Sequence, residues 1–85
     1  MRLYQLLEGL DVKAKPEDCE ITGITADSRR IEPGMAFVCI KGGRFDGHDH
    51  AKSALQAGAA AVVCQHSLGL EREVLCTDTR LAYAL

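Results

Sequence analysis

Two short polar segments hold the residues of this chain that are best suited to bind a small molecule. The first is Asp27-Ser28-Arg29-Arg30, and the second is the glycine-rich segment 41–47, KGGRFDG. A Pro33-Gly34 turn and an apolar run lie between them, so the two segments are tied to the two ends of one predicted strand. Exposed backbone N–H groups and nearby arginine or lysine both favour phosphate. The pattern therefore predicts a site for an anionic small molecule.

Each segment also has a purely structural interpretation. An Asp-Ser-Arg sequence often forms a turn with an Asx-type hydrogen bond, and paired glycines often mark a tight turn. Lys41-Gly42-Gly43 lacks the G-x-x-x-x-G-K-[ST] spacing of an NTPase phosphate loop. Ser28 has no histidine close to it in sequence, so no nucleophile and base can be paired. The residues favour binding over acyl-transfer or hydrolytic catalysis.

The cluster Asp46, His48, Asp49 and His50 raises the question of a metal site. Adjacent residues on a helix point in different directions, which is a poor arrangement for chelation. Asp46 or Asp49 is well suited to the positive N-terminus of a helix. We therefore expect helix capping here and no metal site.

Composition limits the remaining possibilities. The chain has 85 residues, enough for one small domain, and 47% of them are hydrophobic. Its net charge of −2 and its lack of tryptophan argue against nucleic acid as a partner. No apolar run approaches the roughly 20 residues that a membrane span needs, and the N-terminus lacks the apolar stretch of a signal peptide. A cytoplasmic location without membrane association is expected.

The four cysteines are too dispersed for a C-x-x-C metal or redox pair. Cys39, Cys64 and Cys76 lie in apolar runs, where a free cysteine behaves as a small buried hydrophobic residue. We expect reduced, structural thiols.

Hydrophobic periodicity predicts an α/β fold, a small mixed or mostly parallel sheet flanked by helices. Helices are expected over 2–9 and 48–57, and residues 13–18 are expected to form a polar connector. Strands are expected near 20–26, 36–41, 59–64 and 73–77. The apolar face that begins at Leu81 has no C-cap before Leu85, which suggests that the chain stops within an element.

The motifs, taken in order, resemble the N-terminal domain of the Mur ligases, and most closely its MurE branch. Those domains carry Asp-Ser-Arg, then Pro-Gly before a strand with phenylalanine, then a Lys-Gly-x-x-x-Asp-Gly-His-Asp loop. The matching residues are 27–29, 33–34 with Phe37, and 41–49; a Gly-Ala-x-Ala-Val-Val strand at 58–63 and an Asp-Thr-Arg at 78–80 follow. The resemblance covers nearly the whole chain. One departure is His50, where the family more often has an aromatic residue.

The resemblance implies a function for the whole enzyme and for this part of it. Residues 1–85 correspond to the domain that binds the UDP part of UDP-N-acetylmuramoyl-L-alanyl-D-glutamate. The central domain, which holds ATP and magnesium, and the C-terminal domain lie outside these 85 residues, and the domain is expected to pack on the central one. The full enzyme adds the third amino acid, L-lysine or meso-diaminopimelate, whereas the isolated domain is expected to be inactive and to hold no cofactor. Two alternatives stay open: the D-alanyl-D-alanine-adding ligase (MurF), and a stand-alone binding domain without catalysis.

The resemblance also assigns the substrate-binding residues. The family's uridine contacts fall on Ala26 and Ser28 and on Gly43, Arg44 and Phe45. The Ser28 hydroxyl can donate to and accept from a uracil or ribose group, Gly43 and Arg44 would face the diphosphate, and Phe45 would pack on the base. Supporting roles are expected for Asp27, Arg29, Asp46 and Gly47. No residue is assigned to catalysis or to a metal.

Overall fold

A computed structural model of the chain describes residues 1–41 and 46–79. These residues form a five-stranded sheet with short helices on both faces. The strands are β1 (Val12–Ala14), β2 (Ile24–Thr25), β3 (Ala36–Val38), β4 (Ala61–Cys64) and β5 (Glu73–Cys76). The α-helices are α1 (Leu3–Leu6) and α2 (Ala51–Gln56), and two 3₁₀ turns span Ser28–Arg30 and Gly47–His50.

The sheet is mostly parallel, as the sequence predicted. Its strand order is β1-β5-β4-β3-β2. The neighbours β2 and β3, β3 and β4, and β4 and β5 all pair in parallel, whereas β1 pairs with β5 antiparallel. The prediction of a polar connector over 13–18 is therefore wrong at its start, because Lys13 and Ala14 belong to β1. That strand is short, exposed and irregular in register, so its own residues carry no alternating hydrophobic pattern.

Strands β3 and β4 are buried on both faces, which explains their continuous apolar sequence. Alternate residues enter two separate cores. Ala36 and Val38 pack with α1 on one face of the sheet, and Phe37 packs with α2 on the other. The small residues Ala51 and Ala54 let α2 lie close against that second face.

Several elements are shorter than the periodicity predicted. The first helix spans Leu3–Leu6 within the expected 2–9, and the strand expected over 20–26 is regular only at Ile24–Thr25. The segment 48–57 begins as a 3₁₀ turn and becomes α-helical at Ala51. Gly58 ends this helix as predicted, with φ of +107° and its N–H donating to the carbonyl of Leu55 at 3.0 Å.

The Pro33-Gly34 turn has the predicted geometry. Gly34 has φ of +88°, and the N–H of Met35 donates to the carbonyl of Glu32 at 3.1 Å. Proline at the second position and a left-handed glycine at the third define a type II turn. The turn directs the chain into β3.

Among residues 1–41 and 46–79, no helix has the length and apolar character needed to cross a membrane. All four cysteines are free thiols, and Cys39, Cys64 and Cys76 are buried in the cores, as the apolar runs predicted.

Candidate nucleotide-binding edge of the sheet

The carboxyl ends of β2, β3, β4 and β5 lie at one edge of the sheet, because these four strands are parallel. Ligands of open α/β sheets bind in crevices at this edge. The polar segment 26–30 follows β2, and Lys41 follows β3, so both lie at the same edge. The sequence analysis tied the two segments to opposite ends of the strand that became β3. Because the first segment also follows β2, which is parallel to β3, the structure has both segments at the carboxyl edge.

Asp27 organises the first segment. Its Oδ1 accepts the backbone N–H of Arg29 at 2.9 Å and so caps the 3₁₀ turn Ser28–Arg30. The guanidinium of Arg29 donates from Nε to Oδ1 at 3.1 Å and from Nη2 to Oδ2 at 3.2 Å. These side-chain and backbone hydrogen bonds from Arg29 lower the pKa of the Asp27 carboxyl. Asp27 and Arg29 thus pair with each other and shape the turn, and their supporting role in binding stays a prediction.

A pocket of about 590 Å³ opens beside this turn, lined by Ala26, Asp27, Ser28, Arg29 and His50. Ser28 is half-buried, and within the described residues its hydroxyl makes no hydrogen bond. The two described residues assigned to uridine, Ala26 and Ser28, therefore line one concave surface with a hydroxyl available to a ligand. The sequence analysis did not place His50 in this pocket. The one sequence feature that pointed to His50 was that it stands where the family more often has an aromatic residue.

Backbone contacts hold the end of the second segment beside the residues that directly follow β3. Lys41 and Asp46 form an antiparallel bridge, and the N–H of Gly47 donates to the carbonyl of Ile40 at 2.9 Å. A Cβ at Gly47 would lie 2.8 Å from the backbone nitrogen of Ile40 and 3.0 Å from the Cα of Cys39. Glycine is required there because two backbones approach closely. The predicted contacts Gly43, Arg44 and Phe45 lie outside the described residues.

Asp46 caps the 3₁₀ turn Gly47–His50, as predicted. Its Oδ1 accepts the backbone N–H of His48 at 3.0 Å and lies 2.6 Å from Nδ1 of the same residue. These backbone and side-chain hydrogen bonds lower the pKa of the Asp46 carboxyl. On its other side, the His48 ring accepts the backbone N–H of Gln65 at Nε2, at 3.0 Å.

The described residues at this edge offer hydrogen-bond donors and acceptors. Within residues 1–41 and 46–79, no three histidine, cysteine, aspartate or glutamate side chains gather to hold a metal ion. Burial raises the pKa of the Cys39 thiol to about 12 and that of Cys64 to about 11, so neither is a thiolate at neutral pH. Hydrogen-bond donors and acceptors beside a pocket remain.

Comparison with known proteins places the chain in a family. Residues 20–80 match the model described as "Mur ligase family, catalytic domain". The UDP-N-acetylmuramoyl-L-alanyl-D-glutamate–2,6-diaminopimelate ligase of Oceanobacillus iheyensis is 48% identical over 91 aligned residues, which cover all of this chain and 18% of the relative. The ligase of the same name from Syntrophomonas wolfei is 43% identical over 90 residues, with the same two coverages.

A solved structure of MurF from Acinetobacter baumannii superposes with a TM-score of 0.75 at 28% identity, covering 93% of this chain and 18% of that one. The predicted resemblance and fold class are thus confirmed. The chain spans about a fifth of the length of these relatives.

Proposed function

Because this chain belongs to the Mur ligase family, we propose that its carboxyl-edge pocket binds the UDP part of a UDP-N-acetylmuramoyl peptide. The observation that supports this most directly is the placement of Ser28. A half-buried hydroxyl without a protein partner among the described residues faces a pocket of a size suited to a small ligand. A hydroxyl that can donate and accept matches the mixed donors and acceptors of a uracil or ribose group.

Other residues that line the pocket also suit a nucleotide. The Asp27–Arg29 pair holds the turn in place, so the Ser28 hydroxyl is presented by an ordered backbone. His50 also lines the pocket, where an imidazole ring can stack on a base. Arg44, with its neighbours Gly43 and Phe45, is proposed to reach the diphosphate and base from the second segment. A small preformed site with a few polar groups is typical of ligand recognition.

The whole enzyme is proposed to be an ATP-dependent ligase of MurE type that adds the third amino acid to UDP-N-acetylmuramoyl-L-alanyl-D-glutamate. The names of the two ligases from Oceanobacillus iheyensis and Syntrophomonas wolfei favour diaminopimelate as that amino acid. The MurF alternative draws on the structural similarity to the Acinetobacter baumannii ligase. The sequence that follows Leu85 in the same gene would separate the two.

ATP and magnesium do not fit the residues present here. The chain has no Gly-Lys-Thr or Gly-Lys-Ser loop, and no metal-holding group occurs among the described residues. We therefore propose that the 85-residue chain by itself turns over no ATP. ATP hydrolysis by the pure chain that depends on UDP-N-acetylmuramoyl dipeptide would contradict this.

A UDP titration followed by NMR tests the proposed site. Ser28→Ala should weaken UDP binding by about 2- to 13-fold, the loss of one neutral hydrogen bond of about 0.5–1.5 kcal/mol. The melting temperature should change little, because Ser28 holds no hydrogen bond within the described residues. Ser53→Ala is the matched control, since Ser53 is exposed on α2 and does not line the pocket.

The titration has to reach millimolar UDP, because a single domain is expected to bind the nucleotide weakly. If Ser28→Ala lowers the melting temperature and leaves UDP affinity unchanged, Ser28 is a turn residue. A stand-alone domain that never binds nucleotide would show no UDP-dependent shifts around 26–29.

A further inference from the structure

The imidazole of His48 hydrogen-bonds to two partners, one of which requires an acceptor nitrogen and the other a donor nitrogen. The backbone N–H of Gln65 can only donate, so Nε2, 3.0 Å away, must be the unprotonated acceptor. The ring proton then lies on Nδ1 and is donated to the Asp46 carboxylate at 2.6 Å. The two contacts therefore select one tautomer and one ring orientation.

This ring is shielded from water. His48 is only 8% exposed, and the ring of His66 stacks on it at a centroid distance of 4.4 Å and an interplanar angle of 16°. Hydrogen bonds in such a site are worth more than those at an exposed surface, and leaving one unmade is correspondingly unfavourable.

The two partners of His48 belong to different parts of the carboxyl edge. Asp46 pairs with Lys41 in an antiparallel bridge, and Gln65 is the first residue after β4. His48 therefore connects the Lys41–Asp46 bridge to the end of a buried central strand. Asp46 itself is oriented twice by His48, through the backbone N–H and through the ring.

We propose that His48 is a positioning residue for nucleotide binding: its Asp46–His48–Gln65 clamp fixes the Lys41–Asp46 bridge and the turn Gly47–His50 at the carboxyl edge. His48 does not line the pocket beside Ser28 and acts through Asp46 and the backbone. This inference rests on the proposed UDP-binding function, because the turn that His48 positions carries His50, a residue of the pocket beside Ser28.

Two substitutions in the 85-residue chain separate the two halves of the clamp. His48→Asn keeps a donor near the Asp46 carboxylate and loses the acceptor for Gln65, whereas His48→Gln does the reverse. Each should speed hydrogen exchange at the Gly47 amide, which is bonded to Ile40, and each should weaken UDP binding by about 3- to 10-fold. Both are measured at a temperature where circular dichroism shows the variant folded.

Asp18→Ala is the matched control for stability. The Asp18 carboxylate accepts hydrogen bonds from the backbone N–H of Tyr4 at 3.0 Å and from Nε of Arg2 at 2.9 Å. It lies beside α1, which packs on the opposite face of the sheet from α2. This variant should lower the melting temperature without changing Gly47 exchange or UDP affinity.

The outcomes distinguish this inference from the proposed function. Unchanged Gly47 exchange in both His48 variants overturns the clamp, whatever happens to UDP binding. Faster exchange with unchanged UDP affinity makes His48 a stabilising residue only and overturns its positioning role. If the unmutated chain binds no UDP at millimolar concentration, the proposed function fails and the positioning role fails with it.

A measurement on the unmutated chain needs no variant to fold. Nitrogen-15 NMR of the His48 ring should show a protonated Nδ1 and an unprotonated Nε2. The opposite tautomer would remove the acceptor for Gln65 and overturn the proposal.

Discussion

The hydroxyl of Thr79 lies 2.6 Å from the carbonyl oxygen of Cys39, although the two residues are 40 positions apart in sequence. Thr79 is completely buried, and its hydroxyl also lies 2.9 Å from Oε1 of Gln65. The segment that follows β5 is therefore tied to the ends of β3 and β4. The hydroxyl of Thr79 thus makes a tertiary contact across the sheet.

We expect Thr79→Val to destabilise the fold by about 1–3 kcal/mol, because it leaves the buried carbonyl of Cys39 without its donor. Thr79→Ser retains the hydroxyl and should lose about 1 kcal/mol, the transfer energy of one methyl group. Urea unfolding of the three proteins measures both differences. Equal stability of the valine and serine variants would show that the hydroxyl contributes nothing.

Gly47 is required by the close approach of two backbones. Gly47→Ala should destabilise the fold by about 1–3 kcal/mol, since the added methyl would contact the backbone of Ile40 and Cys39 rather than a movable side chain. Gly23→Ala is the control, because its methyl would meet only the flexible end of Met35 at 3.3 Å. Thermal unfolding should rank Gly47→Ala well below Gly23→Ala. A reversed order would contradict the close approach.

The same region shows why the sequence predicted the fold better than it predicted the site. Apolar runs at β3 and β4, joined through a helix of small residues, determine a parallel pair, and the structure contains it. Strand β1 was missed because it is short and exposed, so that its pairing with β5 leaves no hydrophobic pattern in its own residues. Pairing between strands that are far apart in sequence cannot be predicted from local periodicity.

At this edge of the sheet, the capping residues could be predicted from residue type, whereas contacts that depend on tertiary packing could not. Asp27 and Asp46 were assigned supporting or capping roles because their residue type suits the start of a helical turn, and both cap 3₁₀ turns. The placement of His50 in the pocket and the contact of His48 with Gln65 depend on how α2 packs on the sheet. No spacing along the chain encodes that packing.

Stability should fall in acid because several carboxylates, Asp27, Asp46 and Glu73 among them, are hydrogen-bonded in the folded state and have a lowered pKa. The bonds from His48 lower the pKa of Asp46; at Glu73 burial acts to raise the pKa, but the hydrogen bonds from Leu68, Ser67 and Leu70 outweigh it and the pKa is lowered. A lowered folded pKa stabilises the fold above the unfolded values of 3.8 and 4.5, and that stability is lost as pH falls through the folded values.

Melting temperatures between pH 3 and 7 test this sign. The unmutated chain should show a plateau above about pH 5 and a decline below about pH 4. Asp46→Asn and Glu73→Gln should each flatten the decline. Asp49→Asn, which removes an exposed carboxylate outside both hydrogen-bond networks, should leave the slope unchanged. An acid decline as steep in the double variant as in the unmutated chain would refute the assignment.

Arg44 is expected to act through the charge of the diphosphate, so its effect should depend on salt. Arg44→Glu replaces a cation with an anion and should weaken UDP binding more than Ser28→Ala does. Because exposed charges are screened within about 8 Å at physiological ionic strength and within about 3 Å at 1 M, the penalty should shrink as salt rises. The Ser28→Ala penalty, which comes from a neutral hydrogen bond, should stay nearly constant over the same range.

Arg30→Glu is the matched control for Arg44→Glu, because Arg30 is exposed beside Asp27 and does not line the pocket with Ser28. NMR titrations with UDP and with uridine at two salt concentrations measure these differences. Equal weakening of UDP and uridine binding by Arg44→Glu would show that Arg44 does not contact the diphosphate.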